Sequence, residues 1–205
     1  MKHPTDSTAQ DVLHFWLGDG LQLGWCSDDR RSLWFGGGAA QDALVRERFG
    51  ALVEQAIDGG LQDWEHPITH RLALVLLLDQ FTRNVHRGQA RAFAGDARAQ
   101  RLVRQAIDSG QDLELAPVGR AFLYMPLEHA EDLAMQHECV RCFQRLLDTS
   151  PPELHDKLRG NLQFAEQHRD IVARFGRFPH RNAALGRTST PEEIAFLQDG
   201  PRFGQ

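Results

Sequence analysis

Residues 72–78 read LALVLLL, an unbroken apolar run, and Asp79 follows it directly. The run falls within a helical pattern over 70–84, which makes that helix apolar almost all round. Such a helix has no face to give to water, so it belongs at the centre of the fold with other elements wrapped around it. It is far short of a bilayer span, which needs about 20 apolar residues. The rest of the chain has to supply the wrapping.

It supplies helices. Residues 39–58 put Leu44, Val45, Phe49, Leu52, Val53, Ala56 and Ile57 on one face, and Gly59-Gly60 ends the segment. A third helix over 96–109 closes at Gly110. Segments 117–124 and 126–147 follow, the second started by Pro126. Ser150-Pro151-Pro152-Glu153 is a capped helix start that leads into Leu154, Leu158, Leu162, Ala165 and Val172. Thr190-Pro191-Glu192-Glu193 repeats the signal for a short last helix. Upstream, Ser7-x-x-Gln10 opens a helix with Val12, Leu13, Phe15 and Trp16, and Ser27 caps another through Leu33, Trp34 and Phe35. Trp16, Trp25 and Trp34 serve as anchors of a core flank, since large aromatics dominate packing. No stretch alternates with period two. The expected fold is all-α, one domain over 1–205, with short N-terminal helices over 8–38 packed on the core and a short C-terminal helix within 188–205. VEQAIDGG at 53–60 is echoed by VRQAIDSG at 103–110, as in arrays of stacked helix pairs. Convergence on a common helix-end signature is the other account of that echo.

Composition narrows the function classes. A net charge of -5 and a pI near 6.0 argue against nucleic acid as partner, because no basic excess is there to displace phosphate counterions. No membrane partner is expected, and the N-terminal MKHPTDSTAQD lacks the apolar core of a signal peptide. Three cysteines cannot all pair within one chain, which favours a reducing compartment, the cytoplasm by default. Cys139-x-x-Cys142 has redox spacing but falls mid-helix, where no helix N-terminus lowers a thiol pKa, so both read as core residues.

Residues 171–191 contain no acid, yet carry Arg174, Arg177, His180, Arg181 and Arg187. The helix of the first half has to break at Gly176 and Pro179, so it runs into an arginine-rich turn. The segments LLLDQFTRNVHRG (76–88), FLYMPLEHAEDLAMQ (122–136) and HRDIVARFGRFPHRNAALGRTSTPEE (168–193), with FWLG at 15–18, resemble the signature segments of a bacterial family called domain of unknown function 924. Thr82 departs from the family pattern, which has proline there. A restored backbone donor at 82 is expected to straighten the helix. The resemblance implies an all-helical, tetratricopeptide-like arrangement and brings no activity with it.

The charged groups in these segments lie at the ends of core-facing stripes. Asp79 and Arg83 are one helical turn apart, with Asn84 beside them. Glu128 and Asp132 are also four apart and, on one continuous helix, extend the stripe of Met135, Cys139 and Phe143. His168 shares a face with Phe164, Ile171 and Phe175. Buried charges must be paired, so these groups are expected to meet. Arg83, Arg87, Arg177, Arg181 and His180 outnumber Asp79, Glu128 and Asp132, which points to an interhelical pocket for a small phosphate- or carboxylate-bearing ligand. The ligand-binding candidates are Asp79, Arg83, Asn84, Glu128, Asp132, Arg177, His180, Arg181 and Asn182, with His168 or His129 as acid or base. No metal or cofactor is assigned: His129 and Asp132 could share an ion with His168 or His180, but Glu128 and His129 project about 100° apart on a helix. The second class is an interaction module that holds a peptide in a groove, its charged cluster purely structural. Whether the chain is an enzyme stays open between the two.

Overall fold

The computed structural model describes residues 8–201, and among them the regular structure is helical with no strand. None of these helices is long and apolar enough to cross a membrane. Helix α1 (Ala9–Leu17) is capped by Thr8, whose hydroxyl accepts from the Asp11 N–H while the Asp11 carboxylate accepts from the Thr8 N–H. The expected cap, Ser7, lies outside the described residues. Short helices α2 (Gly20–Leu23) and α3 (Arg31–Phe35) follow. The Trp34 indole donates to the Trp16 carbonyl at 2.9 Å and packs edge-on against Trp25. Ser27 bonds Asp19 and does not cap α3.

Helix α4 (Ala39–Ile57) packs on the central rod. That rod is α5 (Ile68–Leu76), a π turn (Leu77–Phe81) and α6 (Thr82–Val85). Every residue from 71 to 85 is buried, and 72–78 have no exposed surface at all. The helix is not straightened at Thr82: the Thr82 N–H donates five residues back to the Leu77 carbonyl, and its hydroxyl donates to the Leu78 carbonyl at 2.8 Å. The donor that proline would lack is thus spent on the wide turn.

Helices α7 (Asp96–Asp108), α8 (Pro117–Glu128), α9 (Leu133–Thr149) and α10 (His155–Phe175) complete the main body, with α9 packed against both α8 and α10. Pro126 does not start a helix. It sits in the last turn of α8, and the chain leaves the helix at His129 before Asp132 caps α9 by accepting from the Met135 N–H at 2.9 Å. Beyond Gly176 a 3₁₀ turn (Pro179–Arg181) leads to α11 (Pro191–Asp199), where Thr190 and Glu193 close the expected capping box.

The echoed octapeptides end α4 and α7, each with a left-handed glycine, Gly59 at φ 85° and Gly110 at φ 73°. Each is followed by a 3₁₀ turn and then by α5 or α8. The correspondence runs on: Arg71 stands eight residues before Asp79, and Arg120 eight before Glu128. All four are buried.

Candidate functional site

The π turn brings the Asp79 carboxylate, 1% exposed, to the end of α8. Its Oδ1 lies 2.7 Å from His129 Nδ1 and 3.3 Å from the Arg83 guanidinium, and its Oδ2 accepts from Gln80 at 2.6 Å. Burial works to raise this carboxyl, but His129 and then Arg83 beside it, with the hydrogen bonds from His129 and Gln80, outweigh burial and keep it ionised. Burial also drives the His129 imidazole toward its neutral form. A neutral ring that donates from Nδ1 to Asp79 carries its lone pair on Nε2.

Next to His129, the Glu128 side chain is buried, and burial with the nearby Asp79 charge pushes its pKa up to about 8. At neutral pH it is mostly a carboxylic acid. His168, reaching in from α10, places Nδ1 2.8 Å from the Phe164 carbonyl and 3.3 Å from Glu128 Oε1. Burial lowers His168 to about 3, so it too is neutral. The His129 and His168 rings stand 6.0 Å apart, and Phe178 packs edge-on to His168. Although Glu128 and His129 leave the backbone in different directions, ligand-type atoms of Glu128, His129 and His168 all lie within 4.8 Å of one another. The angle between neighbouring Cα–Cβ bonds does not decide where a long side chain ends.

The arginines beside this group differ in how well they are satisfied. Arg83 grips Asp96 with two hydrogen bonds, at 3.0 and 3.2 Å, and donates to the Asp79 carbonyl at 2.7 Å. Arg181, 5% exposed, is held between the Phe93 and Phe178 rings at 4.7 and 4.6 Å. Its guanidinium reaches Asp96 at a long 3.4 Å, and its buried Nε has no hydrogen-bond partner in the protein. Burial and then the Arg83 charge lower its pKa to about 10, which leaves it charged. His180, half-buried, is lowered to about 3 by burial and by Arg181.

The structure therefore brings Asp79, Arg83, Glu128, His129, His168, His180 and Arg181 into one neighbourhood. It places the other candidates elsewhere. Asn84 turns away and bonds Asp42, which also holds Arg87. Asp132 is exposed and serves as a cap, because the chain breaks between α8 and α9 where one continuous helix was expected. Arg177 forks onto Glu193 at 2.6 and 2.8 Å, and Asn182 donates to Ser189 and Glu193. Those two brace α11. Asp96, Glu131, Phe93 and Phe178 were missed by the charge count. Glu131 accepts from the Phe178 N–H and from Arg187, and burial is outweighed there, so its pKa falls. The excess of cations is thereby largely cancelled: Arg83, Arg87, Arg177 and Arg187 each have a carboxylate. Glu131 sat in view within 122–136, one helical turn before Met135, and the charge count passed over it.

Two shallow surface clefts, of about 600 and 530 Å³, lie on other faces. Their charged linings are already engaged: Arg98 with Glu65 and two carbonyls, His86 with Glu54, Arg46 with the Val85 carbonyl. The buried cluster, with an underused cation, is the better candidate.

The sequence pattern of a bacterial protein of unknown function, DUF924, matches residues 12–201. The chain belongs to the DUF924 family. A solved structure, that of a protein of unknown function from Agrobacterium tumefaciens, is similar at 38% identity over 94% of this chain and 97% of that one, with a TM-score of 0.76. No curated protein matches. In this DUF924 chain each of the three signature segments contributes to the cluster: 76–88 gives Asp79 and Arg83, 122–136 gives Glu128 and His129, and 168–193 gives His168, His180 and Arg181.

Proposed function

We propose that this protein binds a small anionic ligand, bearing phosphate or carboxylate, at Arg181, and that the Asp79-held His129 imidazole presents its Nε2 lone pair to that ligand's surroundings as base or as metal ligand. The observation that carries this is the state of Arg181. A buried guanidinium normally uses its donors, because an unmet buried donor costs about 1–3 kcal/mol and more when charged. Arg181 keeps one long contact to Asp96, none at Nε, and two flat aromatic faces that fix its plane. Such a fork matches paired oxygens of a phosphate or carboxylate. Burial of the cluster's side chains disfavours a peptide laid in an open groove. The neighbouring groups are those of a reaction centre: an ionised Asp79, a neutral acid at Glu128 and neutral imidazoles at His129 and His168.

The test is a thermal melt of the parent and of Arg181→Met in sulfate, phosphate and a panel of phosphorylated and carboxylate metabolites at constant ionic strength. The parent is expected to melt higher in at least one anion, saturably, with the shift absent in the variant. A parent that no anion moves, with a variant that melts far lower, makes Arg181 a structural cation.

A further inference from the structure

We propose that Glu128, His129 and His168 form a site for one divalent first-row transition ion of the zinc type. The first ground is convergence. The three offer a carboxylate oxygen and two imidazole nitrogens within 4.8 Å of one another, on the end of α8 and the middle of α10, both fixed in the core. A tetrahedral ion about 2.1 Å from each ligand sets them roughly 3.4 Å apart. No pair of ligand atoms therefore has more than about 1.4 Å to close.

The second ground lies behind the ligands. Metal-bound histidines hold their other ring nitrogen on a carboxylate or a backbone carbonyl, which sets the tautomer. Both partners are in place: Asp79 on His129 Nδ1 at 2.7 Å, and the Phe164 carbonyl on His168 Nδ1 at 2.8 Å. Asp79 is in turn fixed by Gln80 and Arg83, so the π turn delivers a braced outer carboxylate. The two rings stand 6.0 Å apart, and Glu128 Oε1 lies 3.3 Å from His168 Nδ1.

The third ground is the donor set. Two imidazoles and one carboxyl group, which gives up its proton to bind the ion, make the three-residue shell that catalytic zinc uses with its fourth position open, and a set that ferrous iron also accepts. What fills that position rests on the reading of Arg181 given above: it would be open to the anionic ligand proposed there. The ion itself does not depend on that reading.

The test uses the full chain, stripped with a chelator and dialysed. Zinc chloride is added and bound metal is counted; cobalt chloride gives the coordination through its visible absorption. The parent is expected to take up one equivalent, with nitrogen–oxygen coordination in the cobalt spectrum. Glu128→Gln and His168→Gln, each checked for fold by circular dichroism, are expected to lose that equivalent, and Asp79→Asn to bind about 10–100-fold more weakly. Should a variant not fold, imidazole nitrogen shifts of His129 and His168 in the parent, with and without zinc, locate the ion directly. A folded parent that binds no zinc, or variants that bind as the parent does, overturns the site. Anion melts repeated with and without chelator separate the two ideas. An anion shift without metal uptake sinks the ion and leaves Arg181 standing; metal uptake without any anion shift does the reverse.

Discussion

Asp132 is exposed to solvent and its side chain accepts from the Met135 N–H, one of the unpaired donors in the first turn of the helix it opens. Four residues earlier, Glu128 lies buried beside Asp79 and ends the preceding helix. The two carboxylates look equivalent along the chain, and a break of a few residues separates them into a cap and a core acid. Replacing Asp132 by alanine is expected to cost about 1 kcal/mol in urea unfolding, the usual loss for an aspartate cap. A cost of 3 kcal/mol or more would mean that a buried cation had been left without its partner. The signal for the cap was present in the sequence, an aspartate ahead of an apolar-periodic run. It was masked by Pro126, which reads as a helix start but here sits in the last turn of α8, where its missing N–H costs the helix one backbone hydrogen bond.

Helix α11 shows how a short element is held by one side chain. Glu193 completes the Thr190 box, takes the Arg177 fork and accepts from Asn182. The Arg177 hydrogen bonds, working against burial, bring its pKa down to about 2. A carboxyl depressed on folding contributes stability that is complete above its ordinary value near 4.5 and fades as pH falls toward 2. Glu193→Gln is expected to lower the protection of α11 amides from hydrogen exchange by about 2 kcal/mol at pH 6. The gap between parent and variant should close as the pH approaches 2; a gap that stays constant would mean that Glu193 acts through shape and not charge. The start of this helix was legible from Thr190-Pro191-Glu192-Glu193. Its docking was not, because periodicity describes one element at a time. Nothing along the chain told Arg177 to choose Glu193, sixteen residues on, over the acids of another helix.

At the scale of the whole molecule, the all-helical class and the buried rod were readable because an apolar run with no wet face permits few arrangements. The meeting of α8, α10 and the π turn was only partly readable. Shared stripe ends brought Asp79, Glu128 and His168 under suspicion, while Asp96 and Glu131 escaped notice until the helices were packed. The cysteines give a measure of how tightly that packing holds. Cys139 and Cys142 are buried, with burial raising the first thiol well above its usual range and the second to about 12, and half-buried Cys26 is raised to about 11. Native protein is expected to react slowly with a thiol reagent, and Cys139 only as fast as the whole chain opens. Labelling of Cys139 far faster than exchange of the slowest amides in α5 would show α9 leaving the body by itself.

The π turn at Leu77–Phe81 is the geometry an α-helix takes when one residue too many is threaded through it. Each residue of a helix turns the chain by about 100°, so the segments on either side of it are out of phase by that angle. Upstream, residues 72–76 are all hydrocarbon. Downstream, Arg83 faces Asp96 while Asn84 faces Asp42 on another side. Loss of a single codon in this stretch would leave a helix just as apolar, just as long to within one rise, and just as able to form a core. It would also send the Asp79 carboxylate or the Arg83 fork to a different neighbour. In this protein the margin between keeping the fold and keeping the buried charged cluster is one residue wide.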